Sequence, residues 1–170
     1  MIDDTQEPWT PVQLLDWLDS LGIDCPTIHH PPLRTVADSR KHREIHEGAY
    51  TKNLFVRNKK GRMWLLTLLE HRSVQLKATA RQLGAGNFSF ASQERLMQYL
   101  GIVPGAVSPL ALVNDPTARV EFVLDTGVLE YDRVHMHPLD NSMTTTLRRD
   151  DFLKFLDAVD HPPLRLELDD

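Results

Sequence analysis

Apolar residues along the chain fall at helical spacing in some stretches and at strand spacing in others, and the alternation is irregular. Val12, Leu14, Leu15, Leu18 and Leu21 predict an opening helix over about Thr10 to Leu21. Thr10 is its cap, Pro11 its first helical residue and Gly22 its stop. A short strand is expected around CPTIHHPP, closed by Pro31 and Pro32, and TVADSRKHREI reads as a polar helix capped near Thr35. The stretch GAYTKNLFVRNKKGRMWLLTLL (48–69) predicts a hairpin with Asn58–Gly61 as the turn and Arg62–Leu69 as the return strand. SVQLKATARQL predicts a helix capped by Ser73 and running to Leu83, with Gly84 and Gly86 as its stop. NFSFAS reads as a short strand or entry turn, and SQERLMQYL as a helix between Ser92 and Gly101. PLALVND and VEFVLDTGVL read as strands, and DRVHMHPLDNSMTTTL as two short extended pieces about a turn. A last amphipathic helix over about Asp150 to Val159 buries Phe152, Leu153, Phe155 and Leu156, before a tail from about 161 to 170 that reads as loose.

No regular strand–helix–strand beat runs through this order, so the expected class is α+β rather than a doubly wound sheet. No repeat or low-complexity linker divides the chain, which predicts one domain over residues 1–170. One residue breaks the pattern. Strand side chains alternate between faces, so Tyr50, Lys52, Leu54 and Val56 point one way and Thr51, Asn53, Phe55 and Arg57 the other. Lys52 therefore shares a face with large apolar and aromatic neighbours.

Composition narrows the classes further. The 170 residues are 41% hydrophobic and 25% charged, the balance of an ordinary globular chain with material for a core. No apolar run approaches the roughly 20 residues that span a bilayer. The acidic start, MIDDTQEPWTP, lacks the pattern of a secretory signal, and a cytoplasmic location follows as the default. Cys25 is the one cysteine, which excludes an internal disulfide and a multi-cysteine metal site. The net charge of −5 is unevenly spread: residues 40–81 hold eleven Lys/Arg against three Glu, leaving −13 for the remainder. That asymmetry permits one local basic face toward a phosphate-bearing partner, or simply an uneven solvated surface.

The familiar nucleotide and nucleophile fingerprints are absent: there is no Gly-x-Gly-x-x-Gly, no phosphate loop and no Gly-x-Ser-x-Gly turn. Histidines concentrate at His29–His30 and at His135 and His137, without the ligand spacing of a known zinc motif. GIVPGAVSPLALVND packs two glycines and two prolines into nine residues after a helix. It makes either a shaped loop that offers N–H and C=O groups to a small polar ligand or a plain helix-to-strand connection. In HMHPLDNSMTTTL, His137 precedes a proline and is biased to an extended backbone, with Asn141 and the threonines as nearby polar groups.

Taken together, Lys52-Asn53-Leu54-Phe55, Gly105-Ala106-Val107-Ser108-Pro109 as a Gly-x-x-x-Pro loop, and His137-Pro138-Leu139 with Asn141 and Thr144-Thr145 resemble one family. It is the YbaK-like superfamily, free-standing relatives of the editing domain inserted in bacterial prolyl-tRNA synthetases. The likeness runs over nearly the whole chain and is closest to the branch that deacylates alanyl-tRNA of proline identity. Relatives that clear cysteine tend to carry Lys-Thr where this chain has Lys52-Asn53, and Gly-Gly before the loop's Ser-Pro. The resemblance implies a mixed, barrel-like β core with surrounding helices, and a cofactor-free hydrolase acting on the aminoacyl ester of mischarged tRNA. Prolyl-tRNA synthetase is a candidate second partner.

It further implies that Lys52 points into the aminoacyl pocket as an anchoring cation. Asn53 and the backbone of Gly105, Ala106, Val107, Ser108 and Pro109 would bind substrate and position water, and His137 would orient the water or a ribose hydroxyl. Arg57, Lys59, Lys60 and Arg62 would meet acceptor-stem phosphates. Two rivals stand beside this: the same fold acting on another mischarged tRNA such as Cys-tRNA(Pro), and a non-catalytic tRNA-binding module.

Overall fold

The computed structural model describes residues 7–33, 35, 37 and 47–168. Apart from Thr35 and Ala37, the expected polar helix over TVADSRKHREI lies outside the described residues. Helix α1 (Pro11–Ser20) opens with a reciprocal cap: Gln13 N–H donates to Thr10 Oγ1 at 3.2 Å and Thr10 N–H donates to Gln13 Oε1 at 2.9 Å. Leu14 and Leu18 are its buried stripe. The strands are β1 (Thr27–His29), β2 (Thr51–Arg57), β3 (Met63–Leu69), β4 (Ser89–Phe90), β5 (Val120–Asp125), β6 (Arg133–Met136), β7 (Met143–Arg148) and β8 (Leu164–Leu166). Among the described residues the further α-helices are α2 (Leu76–Gln82), α3 (Gln93–Leu100) and α4 (Arg149–Ala158).

The strands form two sheets. The larger has the order β4-β2-β3-β5-β8 and the smaller β1-β7-β6. β2 and β3 are the expected antiparallel hairpin, with Lys52 opposite Leu68 and Val56 opposite Trp64. β5 runs parallel to β3 and β8 parallel to β5. The sheets meet at one parallel bridge, Ala49 to Val134, where Ala49 N–H donates to the Arg133 carbonyl and His135 N–H to the Ala49 carbonyl. The architecture is α+β, and among the described residues the barrel does not close. One apolar cluster, with Phe55, Leu65, Phe122, Leu110, Val134 and Leu147, fills the space between the larger sheet, the smaller sheet and the helices. A second, with Val56, Trp64, Leu66, Leu68 and Ala80, lies on the opposite face of the larger sheet under α2.

Four expectations are corrected. Ser73 does not cap α2; Gln75 precedes it, with no side-chain cap, because Val74 and Leu76 first seat against the second cluster in an extended chain. Pro109–Asn114 is a 3-10 helix rather than a strand. All six residues are buried, so the run carries no period, and Pro109 lacks the N–H that a ladder needs. VEFVLDTGVL is a strand only to Asp125, whose carboxylate accepts from Gly127 N–H at 2.9 Å and turns the chain into a second 3-10 helix, Thr126–Glu130. The tail is not loose over its described part: Leu164–Leu166 pairs with β5, Leu166 is buried, and His161 Nε2 lies 2.9 Å from Asp115 Oδ2 in the interior. Among the described residues no helix is long and apolar enough to cross a membrane.

Candidate active site

The bridge between the sheets fixes where Lys52 and His137 stand. Ala49 and Val134 are opposed in parallel, and Lys52 and His137 each lie three residues further along. Tyr50 and His135, one residue past the bridge, stack at 4.4 Å between ring centroids. Alternation then puts Lys52 on Tyr50's face and His137 on His135's face. Lys52 and His137 thus each follow the bridge by three residues, Lys52 within β2 and His137 one residue past the end of β6.

Lys52 is half-buried, and its Nζ donates to the carbonyl oxygen of Arg72. That carbonyl is held by a buried network. Arg72 Nε donates to Asp125 Oδ2 at 3.0 Å, Leu69 N–H donates to the same oxygen at 3.0 Å, and Gly127 N–H takes Oδ1. A Cβ on Gly127 would sit 2.5 Å from Arg72 Nη2, so only glycine lets the guanidinium pack there. One of the three ammonium protons of Lys52 is thus committed to protein and two remain as donors. Sequence reasoning missed Arg72 and Asp125, which are 53 residues apart and carry no local pattern.

His137 Nδ1 is 2.8 Å from the Met143 carbonyl. A carbonyl only accepts, so Nδ1 carries the proton and Nε2 keeps its lone pair in the neutral ring. Burial pushes the His137 pKa below its ordinary 6.5, with the Met143 carbonyl opposing that and the neighbouring His30 adding to it. His30 meets His137 edge to face at 6.1 Å. Its Nδ1 is 2.8 Å from the Pro31 carbonyl and its Nε2 is 2.8 Å from Thr144 Oγ1, so the ring is held at both nitrogens. His30 was visible in sequence only as part of a histidine pair. Asn141 ties in the same segment, its Nδ2 donating to the Leu33 carbonyl at 2.9 Å and its own carbonyl accepting from Leu33 N–H. Thr145 turns inward instead, to the Cys25 and Pro26 carbonyls.

Asn53 points to the other face, with Phe55 and the first cluster. Its Oδ1 accepts from Thr67 Oγ1 at 2.6 Å, which leaves the amide protons facing outward from that bond. The Gly-x-x-x-Pro loop belongs to this side as well, through Ala106, Val107 and Leu110. Gly105 has φ of 90°, a conformation that suits glycine. Ser108 Oγ accepts from Leu110 N–H at 3.1 Å and starts the 3-10 helix, and Ala106 N–H closes a turn to Val103 O. Among the described residues the N–H groups of Val107 and Ser108 take no hydrogen bond. Lys52 is thus tied to the Arg72 carbonyl, His137 to the Met143 carbonyl and Asn53 to Thr67, while the loop packs into the first cluster.

The hairpin cations stand apart. From Lys52 to Asn58 is six strand steps, roughly 20 Å at about 3.4 Å per residue. Arg62 is engaged by Glu121 at 2.7 Å and lies over the Trp64 ring, and Arg57 Nε donates to the Asn58 carbonyl. Lys59 and Lys60 are exposed and, with Arg62 and Gly84–Asn87, line a cleft of about 420 Å³. Among the described residues no three His, Cys, Asp or Glu side chains gather as a metal site.

Residues 30–155 match the profile of the family described as "Aminoacyl-tRNA editing domain". The chain is 37% identical over 157 residues to the prolyl-tRNA synthetase associated domain-containing protein 1 of Bos taurus, covering 89% of this chain and 91% of the relative. It is also 37% identical over 142 residues to the prolyl-tRNA editing protein ProX of Acetoanaerobium sticklandii, covering 83% and 87%. A solved structure described as a proposed trans-editing enzyme for prolyl tRNA synthetase shares the fold, with a TM-score of 0.70 at 18% identity over 94% of this chain and 95% of that one. The chain belongs to the aminoacyl-tRNA editing domain family, in its YbaK-like, prolyl-tRNA synthetase-associated branch.

Proposed function

We propose that this protein is a trans-editing deacylase that hydrolyses the ester of alanine mischarged on tRNA of proline identity. The observation that carries the reading is the parallel register from Ala49 and Val134, which supports a cation and a base-competent imidazole at one level and on one face. In this reading His137 Nε2 accepts a proton from water as the water oxygen bonds to the ester carbonyl carbon. The carbonyl–ribose bond then breaks and the proton passes to the leaving ribose oxygen, giving free alanine and uncharged tRNA.

The two uncommitted N–H protons of Lys52 hold a phosphate or ester oxygen at the reacting end, where a partly apolar surrounding screens the charge little. In this reading the N–H groups of Val107 and Ser108, which make no hydrogen bond among the described residues, and the Asn53 amide are further donors assigned to the acyl group. An aminoacyl ester is intrinsically labile, so positioning supplies most of what the reaction needs. Selection follows from size. A synthetic site shaped for proline rejects the smaller alanine by only about 1–3 kcal/mol, and a second site that admits alanine and excludes the proline ring corrects the error. Lys59 and Lys60, a strand length away, meet RNA phosphates beyond the acylated end, and prolyl-tRNA synthetase is a fitting partner in supplying the mischarged product.

The test is deacylation of alanine-, cysteine- and proline-charged tRNA of proline identity by the wild type and Lys52→Ala. Alanine should be released fast and proline spared, and the variant should lose on the order of 10²-fold in rate, as when one preorganised donor is removed. Faster release of cysteine than of alanine would reassign the substrate. Equal rates for the two proteins would take Lys52 out of the mechanism.

A further inference from the structure

Phe90 is 63% exposed on β4, a strand of two residues at the edge of the larger sheet. Its Cα opposes Val56, so its side chain lies on the Lys52–Leu54–Val56 face. Phe88, two residues earlier, turns the same way and closes on Trp64 at 5.0 Å between ring centroids. The sheet thus half-buries the first aromatic of the pair and leaves the second in solvent. β4 is too short to template a further strand, so whatever Phe90 meets is met through the ring.

Its neighbours along the edge are informative. Three residues beyond Val56 toward the hairpin tip comes exposed Lys59, roughly 10 Å along the strand, with Lys60 and the cleft against Gly84–Asn87. Four residues the other way, past half-buried Leu54, comes Lys52 at roughly 14 Å. Cations that track a phosphate backbone, with an aromatic platform between them, are the elements that hold single-stranded nucleic acid without reading its sequence.

We infer that Phe90 stacks an unpaired nucleobase near the acylated end of the RNA, on a strand that follows the β2–β4 edge from Lys59 and Lys60 to Lys52. The inference rests on the function proposed above and adds a subsite to it. The full chain is titrated with an uncharged tRNA transcript of proline identity, and with the same transcript lacking its single-stranded 3′ nucleotides, followed by fluorescence anisotropy. Phe90→Ala should weaken binding of the intact transcript by roughly 5- to 100-fold, the range of one base–aromatic stack. Phe90→Trp should bind within about twofold of the wild type, Phe90→Leu should resemble Phe90→Ala, and the shortened transcript should lose the difference between wild type and Phe90→Ala.

Wild-type affinity in Phe90→Ala, or equal binding by Phe90→Leu and Phe90→Trp, overturns the stack. So does a shortened transcript that still distinguishes them, or a wild-type dimer that Phe90→Ala splits, since a second copy would then cover the ring. Because Phe90 is exposed, circular dichroism should show all three variants folded. A wild type that binds through Phe90 yet releases no amino acid would end the deacylase reading and leave the subsite standing.

Discussion

The two sheets use their strands in opposite ways. In β3 every residue is buried, with Trp64, Leu66 and Leu68 on one side, Met63, Leu65 and Leu69 on the other, and Thr67 as the one polar member. Both faces of the larger sheet are covered, so a strand in its middle must be apolar throughout. The smaller sheet is one-sided. Val134, Met136 and Leu147 face the first cluster, while His135, His137, Thr144 and Thr146 point away from it: His135 bonds to Thr146, His137 to the Met143 carbonyl and Thr144 to His30. The first arrangement holds position, and the second leaves room for chemistry. Lys52 stands near the seam, three residues past the Ala49–Val134 bridge on a strand of the larger sheet, with its ammonium on the Arg72 carbonyl.

The largest expected effect breaks the holding side. Asp125 receives Leu69 N–H, Gly127 N–H and Arg72 Nε, and it and Arg72 are buried. Asp125→Ala strands a guanidinium in the interior and should cost about 3–5 kcal/mol of unfolding free energy, read as a lower urea midpoint. Thr146→Val removes one hydroxyl contact to His135, 2.8 Å in length, and should cost about 1 kcal/mol. Equal costs for the two would mean that the larger sheet is no more a scaffold than the smaller.

Legibility in the sequence divides along the same line. The capped helices α1 and α3 could be read because cap, period and stop are local, with Ser92 Oγ accepting Arg95 N–H and Gly101 in the left-handed region. The β2–β3 hairpin could be read from alternation and its turn. Residues 109–114 could not, since burial on all sides erases the period that separates helix from strand. Nor could the seat of β8, which depends on an edge of β5 some forty residues earlier. In the candidate site, Lys52, Asn53, the loop and His137 came from resemblance. The partners that hold them came only from the fold: Arg72 with Asp125 is a pairing over 53 residues, and His30 with Thr144 over 114.

A smaller effect on stability, and a large one on rate, is expected on the chemical side. His137→Asn should lower the deacylation rate by on the order of 10² while leaving the urea midpoint near that of the wild type. The wild-type rate should also fall in acid, because protonation fills the Nε2 lone pair. Burial holds the His137 pKa below 6.5, with His30 pushing the same way and Asp140 the opposite, so the falling limb should lie below that value. The sign for stability is the same. The unfolded chain binds the proton more readily than the folded one, so the contribution of His137 is full above the unfolded value and is lost as pH falls through the folded one. A rate that falls only toward alkaline pH would assign the proton transfer elsewhere.

The smallest effect sharpens the comparison most, because it asks whether the polar face works as a unit. Thr144 touches His30 and not His137: its hydroxyl is 2.8 Å from His30 Nε2, and His30 in turn leans edge-on against the His137 ring. With the His30 Nδ1 proton directed to Pro31 O, Nε2 is the acceptor and Thr144 the donor. Thr144→Val keeps the shape and removes that donor, freeing the His30 ring to turn. If His30 sets the orientation of His137, the rate should fall by about three- to tenfold, roughly the worth of one neutral hydrogen bond. The acid limb should also move, because the burial and charge that His137 feels from His30 would change. Thr144→Ser retains the donor and should restore both. A Thr144→Val rate and pH profile that overlay the wild type would show that the Met143 carbonyl alone holds His137, and that the smaller sheet carries its chemistry on a single side chain.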